Sequence, residues 1–223
     1  MLIQIENLTF GWQTEKKLLF ENINFNLNQK EIVQLSGENG SGKTTLLKLI
    51  SGMIPHFTRG EILKGEVFIN GRSVLKQSPK VFFPIIAFIP SLNLDFFLLT
   101  DTLAQEILLT RSILKISEGL VKKRLDEFCN FFPGLTDLMN VPLKDREFWQ
   151  KILSLTFIFY LQNARLYLFD EVLMAFSESL IQQWYSFFNW LSSTECAIIF
   201  VDHQYQNKTF SQWLLKDKKL DKL

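Results

Sequence analysis

The sequence predicts an α/β protein built on a mostly parallel sheet with helices on both faces, and three observations support this. A strand at 31–35 leads directly into a glycine-rich loop and a helical pattern. Two apolar strand segments, 166–169 and 197–201, flank a helical segment at about 177–191. Strand, helix and strand in this order give parallel strands, because such crossovers are right-handed in nearly all proteins. Between about 95 and 150 the pattern is helical, which predicts a helical subdomain inserted into the α/β core.

Shorter segments complete the predicted order of elements. Apolar and polar residues alternate at 2–5 and at 23–27, as they do along a strand with one buried face. Segment 65–71 also has strand character, and its Asn-Gly ending is a turn signal. Segment 85–89 is a short apolar run rich in β-branched residues, which predicts a buried strand. A helix is predicted at 45–50, directly after the glycine-rich loop.

The helical segment and the tail give three further expectations. Leu103, Ile107 and Leu108 are expected to share one helix face. A strongly apolar helix at 151–162 is expected to lie in the core or against another subunit. The tail, 216–223, carries four lysines and is expected to be a solvated end.

The composition indicates one well-packed domain, 1–223. Hydrophobic residues make up 47% of the 223 residues and charged residues 21%, so the chain can bury a sizeable core. Lys and Arg number 24 against 23 Asp and Glu, a formal net charge of +1. Domains that bind nucleic acid usually carry a strong basic excess, so nucleic acid is not an expected partner.

No segment has the pattern of a secretion signal or a membrane span. The first residues alternate like a strand, without the basic and then apolar order of a signal peptide. The longest apolar stretches fall short of the ~18 residues that a bilayer span requires. Cys129 and Cys196 lie far apart in sequence, and both are expected to be buried thiols rather than a disulfide or a reactive site.

Residues 37–44, Gly-Glu-Asn-Gly-Ser-Gly-Lys-Thr, fit the phosphate-cradling pattern G-x-x-x-x-G-K-[ST], and we call 37–45 the P-loop. Glycines let the backbone curl until its N–H groups face phosphate oxygens, and the following helix presents its positive end to the same anion. Lys43 would reach the outer phosphates, and the Thr44 hydroxyl would bind Mg²⁺. A chance glycine loop is the alternative, but the strand before it and the helix after it argue against chance. The residues expected to bind Mg-ATP are Gly37, Asn39, Gly40, Ser41, Gly42, Lys43, Thr44 and Thr45.

The strand at 166–169 ends in two acidic residues, Asp170 and Glu171. At the carboxyl end of a strand, Asp170 is placed to hold Mg²⁺ directly or through water. Glu171 is then placed to polarise an attacking water as a catalytic residue. A solvated strand end is the alternative, and the P-loop earlier in the chain favours the functional interpretation.

On these motifs the chain resembles the ATP-binding cassette (ABC) superfamily of ATPases over essentially its whole length. The resemblance implies a P-loop NTPase core with an N-terminal antiparallel β subdomain and an inserted helical subdomain. It also implies two further site residues. His203, after Val201 and Asp202, would be catalytic and touch the γ-phosphate, and Trp12 would stack on adenine. A structural histidine and a core tryptophan are the alternatives.

Shorter matches point to one branch of that superfamily. Segments 52–57, 65–71 and 100–103 are similar to the ATPases of energy-coupling-factor importers, which take up vitamins and metal ions. This resemblance implies import of such a solute.

The chain departs from the superfamily at its signature motif, Leu-Ser-Gly-Gly-Gln. Counted back from Asp170, that motif falls at 146–150, where the sequence is Arg-Glu-Phe-Trp-Gln and only the final Gln is retained. In the superfamily this motif contacts the γ-phosphate bound by the opposite subunit. Phe148 and Trp149 would keep the backbone away, and Glu147 would place a negative charge beside a polyphosphate. Like charges ~4 Å apart cost about 1 to several kcal/mol.

Three other positions also differ from the superfamily. Ser91 stands where a metal- and water-sensing Gln is usual, so this Q-loop is degenerate. Val172 replaces a Pro, and Ser177 replaces an Asp. Ser91 is expected to shorten the metal- and water-sensing contact, and Ser177 is expected to weaken communication between two nucleotide sites.

The resemblance implies the ATP-hydrolysing subunit of a membrane transporter, peripheral on the cytoplasmic inner face of the cell membrane. A transmembrane subunit is expected to dock near Ser91, where residues 96–99 are expected to be exposed. Because the signature is degenerate, a heterodimer with a second ABC ATPase is favoured over a homodimer. The alternative is a catalytically weak, regulatory or structural ATP-binding subunit. A protein acting on ribosomes or DNA repair is a third interpretation, which the near-neutral charge disfavours.

Overall fold

The computed structural model describes residues 1–12, 17–57, 60–202 and 209–223. Its helices and strands alternate as an α/β protein requires, which confirms the predicted fold class. In chain order they are β1 (Ile3–Trp12), β2 (Lys17–Leu27), β3 (Ile32–Ser36), α1 (Lys43–Ile50), α2 (Met53–His56), β4 (Glu61–Ile69), β5 (Arg72–Ser73), β6 (Ile86–Ile89), α3 (Leu103–Leu114), α4 (Glu118–Cys129), α5 (Phe148–Leu161), β7 (Leu166–Phe169), α6 (Glu178–Ser193), β8 (Ala197–Val201), β9 (Ser211–Lys216) and β10 (Lys219–Lys222).

The N-terminal strands form a four-stranded antiparallel sheet in the order β2-β1-β4-β5. In this sheet β1 pairs on one side with β2, so that Ile3 faces Leu27. On its other side β1 pairs with β4, so that Ile3 faces Ile69. The turn between β4 and β5 contains Asn70 and Gly71, both with positive φ, as the Asn-Gly signal predicts.

The second sheet has six strands in the order β10-β9-β3-β8-β7-β6, and all neighbours except β10 and β9 are parallel. Parallel strands end at the same edge, so the loop after β3 and the residues after β7 lie close together with only β8 between the two strands. This edge carries the P-loop and the Asp170-Glu171 pair.

Helices cover both faces of the parallel sheet, and β8 shows this clearly. Ile198 and Phe200 belong to the core shared with α5 and α6, whereas Ile199 and Val201 belong to the core shared with α1 and the antiparallel sheet. All five residues of β8 are buried, as expected for a strand with no solvent-facing side.

Aromatic rings fill the core beneath β7. The ring of Phe169 lies 4.9 Å from that of Phe188 and 5.6 Å from that of Trp184, between ring centroids. Both of these helix residues are fully buried. The packing fixes the strand residue that immediately precedes Asp170, and it therefore fixes where that carboxylate emerges.

The segment between β6 and β7 is largely helical, and α3 shows one wrong expectation. Leu103 and Ile107 are buried, but Leu108 is 59% exposed. Successive helix residues are separated by about 100°, so Leu108 lies about 140° from Leu103 and cannot share its face. The first turn of α3 is held by Glu106, whose buried carboxylate accepts hydrogen bonds from the N–H groups of Leu99 and Thr100 and from the Thr100 hydroxyl.

Two other elements differ from expectation. The apolar helix α5 begins at Phe148, earlier than the predicted 151, and its residues Ile152–Ile158 are buried in the core. The tail, 216–223, is exposed as expected at every residue except Leu220, but it is also ordered, because β9 and β10 form a hairpin that extends the parallel sheet beyond β3. Among the described residues, no helix has both the length and the apolarity needed to span a bilayer.

Candidate active site

A cavity of about 460 Å³ opens at the carboxyl edge of the parallel sheet. It lies against the P-loop, the start of α1, the ends of β1 and β2 that face each other, and the residue after Asp170. Its lining residues are Trp12, Leu19, Asn39, Gly40, Gly42, Lys43, Thr44, Thr45 and Glu171. Eight of these nine were predicted from the sequence, and Leu19 was missed.

The P-loop conformation depends on two glycines at its ends. Gly37 has φ +150°, and a Cβ there would overlap the carbonyl oxygen of Leu215 on β9. Gly42 is the N-cap of α1 with φ +107°, and a Cβ there would lie 2.6 Å from the Phe20 ring. No acidic residue occupies the first turn of α1, so its positive N-terminal end faces the cavity uncompensated by the helix's own residues.

Lys43 lies in the first turn of α1 with its side chain only 3% exposed. Its Nζ donates to the carbonyl oxygens of Gly37 and Glu38, at 3.1 and 3.0 Å, and lies 3.8 Å from Oε1 of Glu171. Burial lowers the pKa of Lys43, while Glu171 and Asp170 act in the opposite direction. The ammonium group is therefore positioned in the wall of the cavity by main-chain oxygens and oriented toward an acidic residue.

Thr44 and Asp170 meet across the sheet edge. The Thr44 hydroxyl lies 2.9 Å from each oxygen of the Asp170 carboxylate and donates to it. Burial raises the pKa of Asp170 and the Thr44 hydrogen bond lowers it, with burial the largest influence. A hydroxyl and a buried carboxylate in contact form a set of hard oxygen ligands that fits Mg²⁺, which commonly binds through one or two carboxylates plus phosphates and waters.

Glu171 follows directly and takes a backbone conformation that is uncommon for its residue type, with φ 57°. Non-glycine residues in this region are held there by surrounding structure and are enriched at functional sites. Its side chain is 31% exposed, and it lines the cavity opposite Lys43. Thus the two acidic residues differ in environment, since Asp170 is buried and Glu171 faces the cavity.

The remaining predicted residues have different positions. Trp12 lines the cavity and packs edge-on against Phe10, with ring centroids 5.2 Å apart. Ser41 faces an adjoining cavity of about 370 Å³, and its Oγ is buried with no hydrogen-bond partner among the described residues. The prediction for His203 lies outside the described residues.

The segment that replaces the signature motif, 146–150, is folded tightly at the start of α5. Arg146 is buried, and its guanidinium donates to the carbonyl oxygens of Leu138 and Val141 and to the Ser154 hydroxyl. Burial lowers the pKa of this arginine. It therefore connects the loop before α5 to the helix itself.

The next residues cap α5. Glu147 and Gln150 form a reciprocal capping box, in which the Glu147 N–H donates to the Gln150 side chain at 2.9 Å and the Glu147 carboxylate accepts from the Gln150 N–H. The indole N–H of Trp149 also donates to Glu147 Oε2, at 2.5 Å. Gln150, the retained signature residue, is thus used within the helix cap.

The other departures have structural roles. Val172 is fully buried at the start of a short 3₁₀ turn, and Ser177 is the N-cap of α6. An apolar cavity of about 230 Å³ is lined in part by Phe83, Phe97 and Phe159, and Ser91 is not among its lining residues. The expectation that 96–99 is exposed fails at Leu98, which is buried, and holds at Leu99, which is 75% exposed.

The sheet order, the P-loop and the Asp170-Glu171 pair define this chain as a P-loop nucleotide-binding domain. A sequence profile of the family described as ABC transporter matches residues 20–146, more than half of the chain. The chain therefore belongs to the ABC transporter family, as the motifs predicted.

Curated relatives carry names of the same kind. An ABC transporter ATP-binding protein of Bacillus thuringiensis is 28% identical over 202 residues, which are 91% of this chain and 34% of that protein. The cytochrome c biogenesis ATP-binding export protein CcmA of Reclinomonas americana is 33% identical over 198 residues, which are 87% of this chain and 82% of that protein. The chain spans about a third of the length of the Bacillus relatives.

A solved structure has the same fold. The chain superposes on cbiO1 from Clostridium perfringens, described as part of the ABC transporter complex cbiONQ, with a TM-score of 0.79. The superposition covers 99% of this chain and 86% of that one at 16% identity. At this identity the likeness shows the shared fold.

Proposed function

We propose that this chain binds and hydrolyses Mg-ATP as the nucleotide-binding subunit of an ABC-type membrane transporter. The observation that carries the proposal is the contact of the Thr44 hydroxyl with the Asp170 carboxylate, beside the buried ammonium of Lys43. A helix N-terminus, a cation and a pair of hard oxygen ligands converge on one cavity, as binding of a metal-bound polyphosphate requires.

The residues divide the chemistry of the proposed site. P-loop N–H groups and Lys43 hold the phosphates, Thr44 and Asp170 hold Mg²⁺, and Trp12 stacks on adenine. Held by Thr44 and Asp170, Mg²⁺ would supply positive charge against the negative charge that develops on the phosphates. Glu171 faces the cavity next to Asp170 and orients the attacking water, and His203 contacts the γ-phosphate.

We propose that 1–223 acts as one domain with a helical subdomain at about 95–150, and that it works beside two kinds of partner. One is a second ABC ATPase, in a heterodimer with one working site. The other is a transmembrane subunit that docks near Ser91, on the apolar surface where Phe83 and Leu99 line one cavity together and are exposed by 46% and 75%. We therefore also propose a cytoplasmic location, peripheral to the inner face of the membrane.

The cargo proposal is import of a vitamin or a metal ion. It rests on the short matches at 52–57, 65–71 and 100–103, and the fold shared with cbiO1 agrees with it. The name of CcmA contains the word export, so the direction of transport is the part of the proposal that a transport assay must decide. Uptake of labelled vitamins or metal ions by vesicles carrying the whole complex is the direct measurement.

The second candidate function is a catalytically weak ATP-binding subunit that assembles or regulates a membrane complex. Glu147 and the aromatic residues beside it favour this candidate, because they replace the phosphate-contacting signature of the family. In that case nucleotide binding would stabilise the complex, without turnover at the site that contains Glu171.

Hydrolysis by the purified chain, alone and with its co-purifying partners, separates the candidates. We expect little turnover alone and turnover on the order of 1 s⁻¹ or more in the complex. Glu171→Gln should retain ATP binding and abolish that turnover. If this substitution leaves the turnover of the complex unchanged, the weak-subunit candidate is correct.

A further inference from the structure

The N-terminus of α5 lies at the nucleotide edge of the parallel sheet but outside this chain's own nucleotide cavity. The helix leads into β7 through the short connection 162–165, so it runs opposite to that strand. Its 14 residues rise ~21 Å, more than the ~13 Å of the four-residue strand. The start of α5 therefore reaches the level of Asp170, while no residue of 146–150 lines the cavity.

This helix end is accessible on the described surface. Glu147 is exposed, and the adjacent Phe148 ring is 39% exposed. A charged and aromatic helix end at the nucleotide edge, turned away from its own cavity, faces whatever molecule docks on that edge. In the proposed head-to-tail pairing, that molecule is the subunit whose own P-loop holds a nucleotide.

The anion-binding capacity of this helix end is already used by the chain itself. Free N–H groups and the positive end of the helix dipole attract a negative group. Here the carboxylate of Glu147 accepts the Gln150 N–H and the Trp149 indole N–H. An incoming phosphate would meet a negative charge where it would otherwise meet free donors.

Hydrogen bonds of the preceding residue, Arg146, hold Glu147 in this position. Arg146 binds Leu138, Val141 and Ser154 in the interior, so the residue preceding Glu147 cannot swing outward without leaving a guanidinium and two carbonyl oxygens unsatisfied. Glu147 is thus a fixed feature of the surface.

We infer that Glu147 excludes phosphate. Its carboxylate occupies the position at the N-terminus of α5 where an anion would otherwise bind, so this end of α5 does not pack against a P-loop that holds a γ-phosphate. The inference rests on the proposed function and gives a cause for the proposed preference for a heterodimer over a homodimer. The chain fails to pair with a second ATP-loaded copy of itself because of the charge at 147, with the bulk at 148 and 149 as a second contribution.

The test uses the full chain alone, in a Glu171→Gln background that prevents hydrolysis. Association with and without Mg-ATP is measured by light scattering and analytical ultracentrifugation. Three forms are compared: the background chain, the same chain with Glu147→Gln, and the same chain with Glu147→Ser, Phe148→Gly and Trp149→Gly. Circular dichroism confirms that each form is folded.

We expect the background chain to remain monomeric with Mg-ATP. Glu147→Gln should tighten ATP-dependent dimerisation at least tenfold, and the triple variant should tighten it further. The matched control is Glu118→Gln, which removes an exposed first-turn carboxylate from α4 and should change nothing.

Two results would overturn the inference. One is a background chain that dimerises with Mg-ATP as tightly as the variants, and the other is a pair of folded variants that bind nucleotide yet stay monomeric. Binding of a fluorescent ATP analogue to each monomer is measured separately. If the background chain does not bind it, the proposed function itself fails, and the inference fails with it.

Discussion

Among the helices that begin at the nucleotide edge of this protein, α1 and α5 differ in how their N-termini are completed. The start of α1 has a glycine N-cap, no acidic residue in its first turn, and a loop whose N–H groups border an open cavity. The start of α5 has Glu147 as its N-cap, with Gln150 and Trp149 bonded around it. The same backbone element thus leaves its anion position open in one place and fills it in the other.

The difference shows that the residues around a helix start decide its chemistry. Gly42 accepts a conformation that side chains rarely adopt, and its lack of a Cβ lets α1 begin in close contact with Phe20 and Leu19 of β2. Glu147 instead satisfies the helix internally and excludes a second anion. Changes that convert one helix end toward the other should therefore separate the two roles.

The largest effect is expected from removing the ammonium group of Lys43 at the start of α1, the open helix end. Lys43→Ala removes the buried ammonium group that main-chain oxygens hold beside Glu171, so the site loses its charge complement to a polyphosphate. We expect ATP turnover of the complex to fall by at least about 1,000-fold. The control is Lys122→Ala on the exposed side of α4, and a loss below tenfold for Lys43→Ala would contradict the assigned role.

The closed helix end should be sensitive to its internal support. Arg146→Met leaves two buried carbonyl oxygens and the Ser154 hydroxyl without their donor, and we expect a loss of about 3 kcal/mol in the free energy of unfolding. Urea denaturation measures it. Arg111→Met, at a half-exposed ion pair, should cost well under 1 kcal/mol by comparison. Equal losses in the two variants would show that Arg146 does not hold the segment.

The start of α1, the open helix end, should also lower the free energy of unfolding in a way that the start of α5, the closed helix end, does not. Burial raises the pKa of Asp170, so its ionisation opposes folding when no metal ion is bound. Below the ordinary Asp pKa of ~4 the group is protonated in both states, and stability is lost as the pH rises from there through the raised native pKa.

Asp170→Asn should therefore raise the free energy of unfolding by about 1 kcal/mol at pH 7, with a smaller gain at low pH, while Mg²⁺-dependent activity is lost. Thermal unfolding across pH without nucleotide checks this. Asp137→Asn, at an exposed carboxyl, serves as the control. If Asp170→Asn were less stable than the parent protein at pH 7, ionisation of Asp170 would not oppose folding.

The smallest effect concerns the cap of the closed end. Glu147→Gln removes a carboxylate from the N-terminus of α5, and we expect a loss of about 0.5 kcal/mol in the free energy of unfolding. The same change should favour ATP-dependent pairing, so stability and pairing should move in opposite directions. If Glu147→Gln instead raised both the free energy of unfolding and ATP-dependent pairing, capping of α5 and exclusion of phosphate would be independent roles of Glu147.

The open end could be predicted from the sequence because its pattern is local. A P-loop needs consecutive residues of defined type, and the chirality of strand crossovers brings the end of β7 next to it. Leu19 was missed because an apolar strand residue carries no mark of the ligand it borders. Leu108 was assigned to the wrong face because helical angle, rather than apolar character, decides burial.

The start of α5, the closed helix end, could be identified from the sequence as a departure from the signature motif, but its hydrogen bonds could not be predicted. No sequence rule indicates that Arg146 is buried and bonded to carbonyl oxygens, because charged residues are seldom buried without an acidic partner. The strand character of the tail was missed for a related reason. Four lysines hide the buried Leu215 and Leu220, and the reversal at Asp217 and Lys218 requires positive φ in residues that are not glycine.

That hairpin also makes the nucleotide loop controllable from outside the 460 Å³ cavity. The main chain of β9 at Leu215 forms the wall behind Gly37, and the turn of the hairpin accepts the N–H of Glu21 through the Lys218 carbonyl oxygen. Asp217 and Lys218 line the adjoining cavity of about 370 Å³ beside the P-loop, so a binder, a peptide insertion or a protease cut at 217–218 would act on the surroundings of the loop without touching a residue that lines the 460 Å³ cavity. The hairpin turn is therefore a suitable insertion point for a switchable module, with ATP affinity as its output.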